Sequence, residues 1–212
     1  MAHQQRQPMI RVFLAVEISD ELRAGLVRVQ HDLKQRLAPH LPKDVRITWG
    51  QPNSFHLTVR FLGLTDEKLL PLMQEALATI DQPRPAIEIP IERLEAFPTL
   101  QKPRVLWVGP SEEWLRSDAA KQLSAWQQHI ESCCCSLGVA PDDKSFTPHL
   151  TLARIKMGER QVGPLLAQSG ICDQPLTLGK ITVGSLALIK SDLRPTGPRY
   201  TKLWDVKVGG RS

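Results

Sequence analysis

The sequence predicts an α+β protein: two pseudo-symmetric lobes whose mostly antiparallel sheets face a central groove, with helices on the outer faces. Three observations predict it. The first is a repeated strand, Phe55-His56-Leu57-Thr58-Val59-Arg60-Phe61-Leu62-Gly63, which returns ninety-odd residues later as Pro148-His149-Leu150-Thr151-Leu152-Ala153-Arg154. The second is spacing. A helix start at Ser19 stands 37 residues before His56, and one at Ser111 stands 38 before His149, so both halves run helix, turn, strand at nearly equal intervals. The third is the tail, where apolar stretches near Leu176 to Ile189 and Tyr200 to Val208 flank a Gly- and Pro-containing loop, as antiparallel strands do. A repeat this long is no solenoid.

Residues 10 to 18 form an apolar run without turn residues and read as a buried strand. Ser19 then caps a helix with Asp20 and Glu21 in its first turn. Leu22, Leu26, Val29, Leu33 and Leu37 recur along one stripe, which packs the helix on a sheet, and Pro39 and Pro42 end it. Val45 to Trp49 is a short strand, Gln51-Pro52-Asn53-Ser54 a turn, and the first repeated strand follows. Thr65 and Asp66 start a second helical stretch to about Ile80, with Pro71 near its beginning. Asp81-Gln82-Pro83-Arg84-Pro85 is the best linker in the chain. Strands are expected at Ala86 to Phe97 and Arg104 to Val108, joined by a Pro-containing turn. Glu112 to about Leu137 reads as one long helix closed by Gly138, and the second repeated strand comes next.

These elements make residues 10–208 a single domain of two intertwined lobes, with disordered tails at 1–9 and 209–212. A composition of 42% hydrophobic and 23% charged residues excludes wholesale disorder. The first eight residues lack the apolar core of a signal peptide, and the longest apolar stretch, around Ile181 to Ile189, is too short to cross a bilayer. A cytoplasmic protein without a membrane partner, taken as a monomer, is the expectation. The net charge of +5 and pI near 9.2 suit an anionic partner or simply a soluble basic surface. Cys133-Cys134-Cys135 and Cys172 have neither disulfide-framework nor zinc spacing, and the triplet reads as thiols at a helix end.

Side chains at i and i+2 of a strand share a face, so each repeated strand presents one imidazole beside one hydroxyl: His56 with Thr58, His149 with Thr151. Facing each other across a groove, the two histidines can take and give protons at a phosphoryl centre while the threonines hold its oxygens. A strand histidine satisfied by a carbonyl, or a threonine placed for β propensity alone, is the bland alternative, and the matched pairing argues against it. Strict alternation puts Arg60 on the His56 face and Arg154 on the face away from His149 unless the strand bulges or ends there. Trp49 is a candidate for stacking on a base, and Arg60 for contacting substrate. His3, His31, His40 and His129 have no matching context.

The doubled His-x-Thr wording, HLTVRFLG and PHLTLAR, resembles the 2H phosphoesterase superfamily and, within it, the RNA 2',3'-cyclic phosphodiesterase branch, also called 2'-5' RNA ligase-like proteins. The resemblance runs from Arg11-Val12-Phe13-Leu14-Ala15-Val16 to Ser191-Asp192-Leu193-Arg194-Pro195-Thr196-Gly197-Pro198-Arg199-Tyr200. It implies hydrolysis of RNA 2',3'-cyclic phosphate ends to 2'-phosphates, with His149 accepting a proton from water and His56 donating one to the leaving 3' oxygen. It also implies phosphate contacts from Thr58, Thr151 and Arg154, no metal and no cofactor, and RNA as partner, tRNA fragments included. Run backwards with a 5' hydroxyl, the same site would make a 2'-5' linkage. Three rivals share these residues: an RNA-binding module without turnover, a metal-dependent phosphodiesterase with the histidines as ligands, and a relative acting on small cyclic nucleotides or 2'-5' oligonucleotides.

Overall fold

The first strand, β1 (Met9–Glu17), lies inside a sheet because Val12, Leu14 and Val16 turn one apolar face to the main core while Phe13 and Ala15 build a small cluster on the other. The computed structural model describes residues 8–80, 86–194 and 197–207. The expected tails and the linker at 81–85 therefore fall almost wholly outside the described residues, except that Met9 already begins β1.

Helix α1 (Asp20–Leu37) starts where Ser19 accepts a hydrogen bond from the Leu22 amide, and all five stripe residues are buried. It is tied to the far sheet, since Gln30 Nε2 donates to the carbonyls of Gly50 and Leu152, at 3.0 and 2.7 Å. The chain then adds β2 (Arg46–Trp49) to that far sheet and returns to β1 with β3 (His56–Asp66). The expected helix start at Thr65 is corrected here. Thr65 and Asp66 pair with Ile10 and Met9, and α2 (Leu69–Ala78) begins later, because strand pairing with β1 outweighs the cap-like local signal.

The expected strand from Ala86 to Phe97 splits in two. β4 (Glu88–Pro90) belongs to a small two-stranded sheet, and β5 (Arg93–Thr99) pairs with β6 (Lys102–Gly109); Pro90, with no amide hydrogen, stands at the break. The long helix also divides, into α3 (Glu112–Leu115) and α4 (Asp118–Ser136), because the Ser117 hydroxyl takes the Ala120 amide and caps a new helix. Gly138, at φ 87°, supplies the left-handed turn that closes α4.

After β7 (Leu150–Met157) comes α5 (Glu159–Ser169), a helix absent from the sequence expectation because Pro164 interrupts its pattern. The tail gives β8 (Lys180–Thr182), β9 (Ser185–Arg194) and β10 (Gly197–Lys207), so the apolar stretch at 176 to 189 serves two sheets rather than one.

Two antiparallel four-stranded sheets result, ordered β10-β9-β1-β3 and β2-β7-β6-β5. Helices α2 and α4 pack by the first, and α5 and, through Gln30, α1 by the second. The α+β expectation, with antiparallel sheets and helices outside them, agrees with this architecture. The repeated strands β3 and β7 lie against each other where the sheets meet.

Candidate active site

The decisive local feature occurs twice. In β3 the pairing with β1 runs from Ala15 opposite Thr58 to Leu14 opposite Arg60, skipping Val59. In β7 the pairing with β6 runs from Trp107 opposite Thr151 to Leu106 opposite Ala153, skipping Leu152. Each is a β-bulge, and each inverts the alternation that follows it. Val59 and Arg60 are both buried, as are Leu152 and Ala153, so the next residue returns to the face of the histidine and threonine. That residue is Phe61 in one half and Arg154 in the other, both exposed.

The bulge settles the arginines in opposite ways. Arg154 joins the face of His149 and Thr151, and its charge acts on His56, His149 and Tyr200 alike. Arg60 does not share the His56 face, which corrects the expectation from strict alternation. It is 4% exposed, ion-paired with Glu131 and, at 3.4 Å, with Asp142, and it donates to the carbonyls of Phe61 and Ala140. With its donors so engaged, Arg60 is no substrate contact. Trp49 is corrected as well. It pairs with buried Ala153, packs against the main core, and lies 5.1 Å beneath the Lys34 ammonium of α1, so it occupies the helix side of its sheet.

His56 stacks on Phe13 with centroids 4.6 Å apart, and Tyr200 meets both rings edge-on at 5.2 Å. Burial lowers its pKa to about 4 against a hydrogen bond to the backbone of Ser54, with repulsion from His149, Arg154 and Arg23 adding to the fall. His149 is held at Nδ1 by the Thr147 carbonyl at 2.7 Å, with Phe97 and Trp107 edge-on at 5.1 and 5.8 Å. A carbonyl only accepts, so Nδ1 carries the proton and Nε2 offers its lone pair. Burial lowers this pKa too, opposed by the Thr147 bond and assisted by Arg154. The site thus joins two aromatic-walled imidazoles, two half-buried threonines and one exposed guanidinium, a set able to grip an anion and move protons on either side of it.

Sequence reasoning missed Phe13, Tyr200, Phe97 and Trp107. Phe13 could have been found from its alternation with Ala15 in β1, and Tyr200 is the single tyrosine in the chain. The cysteine triplet lies in the last turns of α4 as expected; burial pushes Cys134 up to about 12 and Cys172 up to about 11, so neither carries a reactive thiolate at neutral pH. Among the described residues no cluster of three or more His, Cys, Asp or Glu side chains could hold a metal ion, and no helix is long and apolar enough to cross a membrane.

Comparison with known proteins adds the following. The family model for LigT like Phosphoesterase matches residues 16–107 and 114–200. An RNA 2',3'-cyclic phosphodiesterase of Aeropyrum pernix is 35% identical over 161 residues, covering 74% of this chain and 84% of the relative. One of Aquifex aeolicus is 28% identical over 183 residues, covering 85% and 92%. E. coli LigT, crystallised with 3'-AMP, shares the fold at a TM-score of 0.67 and 20% identity, covering 96% of this chain and 100% of that one. A crystal structure from Thermus thermophilus matches at a TM-score of 0.63 and 28% identity, covering 96% and 100%.

Proposed function

This chain belongs to the LigT like phosphoesterase family of the 2H superfamily, and from that premise we propose that it hydrolyses RNA 2',3'-cyclic phosphate ends to 2'-phosphates by two-histidine acid–base catalysis. The observation that carries the proposal is the pair of strands that lie together, where alternation sets His56 with Thr58 on one and His149 with Thr151 on the other, and the bulge after Thr151 brings Arg154 to the same face.

The cyclic phosphate sits between the imidazoles, with Thr58, Thr151 and Arg154 on its non-bridging oxygens. Nε2 of His149 removes a proton from water as the new P–O bond forms. His56 gives its proton to the 3' oxygen as that bond breaks, leaving a 2'-phosphate. Free His56 is largely neutral at pH 7, since its pKa is about 4. A bound phosphate monoanion offsets that burial and raises the pKa, so the acid is charged when substrate is in place. Phe61 offers an exposed ring beside the Phe13 cluster, 6.0 Å between centroids, for the terminal base. Residues 10–208 act as one domain, since each sheet draws strands from both halves of the chain.

The test is incubation with a short RNA ending in 2',3'-cyclic phosphate, with EDTA present, beside His56→Ala and His149→Ala. We expect a 2'-phosphate from the wild type and a loss of at least about 1,000-fold in each variant. Binding without turnover by the wild type would make the groove an RNA-binding module. Activity abolished by EDTA and restored by metal would make the histidines ligands.

A further inference from the structure

Past Phe61 the groove face of the first sheet continues for two more rows of side chains. Leu64 stands opposite Arg11, and Arg11 and Met9 lie two and four residues before Phe13 in β1. Ile10 and Thr65, paired between them, turn to the other side, where Ile10 packs against the main core and Thr65 is buried. Leu193 lies four residues beyond Ile189, which pairs with Phe13 and clusters with it on the groove face. From Phe13 to Met9 this adds about 14 Å of floor. Four of the eight exposed large hydrophobic side chains among the described residues, Met9, Phe61, Leu64 and Leu193, stand on this one face. Scattered singly they would need no explanation; gathered beside the histidine they mark a surface built to be covered. Arg11 stands among them, also exposed, and its charge reaches Tyr200 at the site. It makes no ion pair among the described residues, whereas Glu17, at the His56 end of β1, is held by Lys202 at 2.8 Å.

The direction of displacement decides what covers it. Attacking and leaving oxygens are roughly in line through phosphorus. In the reading proposed above, on which this inference rests, water comes from His149 of the second sheet and the 3' oxygen leaves at His56 of the first. The 3' oxygen belongs to the terminal ribose, so the RNA continues from that ribose over the first sheet. We propose that Leu64, Met9, Leu193 and Arg11 form a subsite for the penultimate nucleotide. Its base lies on the three apolar side chains, and the phosphate joining it to the terminal nucleotide lies on the Arg11 guanidinium. A base rests on such a floor only when its face is bare, so the substrate is an RNA whose 3' end is unpaired over at least two nucleotides. A cyclic mononucleotide reaches the histidines and leaves the subsite empty.

The experiment measures kcat/KM for 2',3'-cyclic phosphate hydrolysis on a mononucleotide, on a trinucleotide, and on the same three nucleotides at the 3' end of a blunt duplex. Wild type is compared with Leu64→Glu, Arg11→Met and Leu72→Glu, the last at an exposed leucine of α2. The expected result is a preference of at least tenfold for the trinucleotide over both other substrates in the wild type and Leu72→Glu, falling below threefold in Leu64→Glu and Arg11→Met. Arg11→Met should also flatten the slope of log kcat/KM against log salt for the trinucleotide by about 0.7, the value for one phosphate on a single strand. Mononucleotide turnover reports that each variant is folded. A wild-type preference below tenfold overturns the subsite and leaves the hydrolytic reading intact. So does a preference still above threefold in Leu64→Glu or Arg11→Met, one lost in Leu72→Glu as well, or a salt slope unchanged in Arg11→Met. Wild type that hydrolyses none of the three substrates overturns the underlying reading itself.

Discussion

Replacing Arg60 with methionine should destabilise the protein by about 3–5 kcal/mol, the range for removing one partner of a buried ion pair. The structure accounts for that size. Arg60 bonds four groups from three segments: Glu131 of α4, Asp142 and the Ala140 carbonyl after it, and the Phe61 carbonyl of β3. The two carbonyls are left without their donor at about 1–3 kcal/mol each if no water reaches them. Glu131 and Asp142 keep side-chain exposures of 23% and 26%, so water recovers part of their solvation and their share is smaller, about 1 kcal/mol. Urea unfolding followed by tryptophan fluorescence would read this as a fall in midpoint of about 2 M, for a slope near 2 kcal/mol/M. Arg60→Lys keeps the charge but not the forked donors and should lose about half as much. Arg104→Met, at an exposed arginine, should change stability by no more than about 0.5 kcal/mol. A loss below about 1 kcal/mol in Arg60→Met, or one equal to that of Arg104→Met, would refute the reasoning and return Arg60 to the surface.

Four further outcomes are expected. Turnover needs His56 charged and His149 neutral, and burial depresses both; kcat/KM should therefore rise as pH falls from 8, peak below 6.5 and decline toward 4, and an optimum at or above pH 7 would contradict it. The same depression bears on folding: between 6.5 and about 4 the unfolded chain binds more protons at His56, so stability drops by roughly 3 kcal/mol through that window as pH falls, a contribution that His56→Asn should remove while that of His149, of the same sign, stays. Thr58→Val and Thr151→Val, near-isosteric losses of one hydroxyl, should each cut kcat by about 10- to 100-fold, or about 1.4–2.7 kcal/mol, with substrate affinity less affected; a change under twofold in both would sink the oxygen-holding role. Gly163→Ala would put a methyl 2.1 Å from the Gln101 carbonyl oxygen and should cost about 2 kcal/mol or more by thermal unfolding, whereas Gly184→Ala, which meets nothing within 4 Å, should be nearly neutral.

The histidine–threonine pairs were legible because a period-two repeat states its own face, and α1 was legible because cap and stripe are both local. The faces of Arg60 and Arg154 were not, since a bulge exists only relative to the partner strand, and β1 and β6 lie far from β3 and β7 in the chain. Alternation therefore misplaced Arg60, while Arg154 reached the site through the one exception allowed for it. The side taken by Trp49 depends on pairing with Ala153 across half the molecule. The split of the long helix at Ser117 was readable in principle, as a second capping serine with an acidic residue after it, but continuous helical propensity through 112–137 masked it.

The exchange of strands between the two sheets also bears on the order in which the protein can be made. Phe13 pairs with Ile189, and β10 closes the same sheet, so that sheet stays incomplete until β10 has left the ribosome. The second sheet closes sooner, but its edge strand and covering helix come from the N-terminal quarter and must already be free to dock. Neither half is a folding unit, and pairings this distant in sequence make folding slow. A truncation after β7 would therefore leave His56 on an unfinished sheet, with both motifs present and no groove between them.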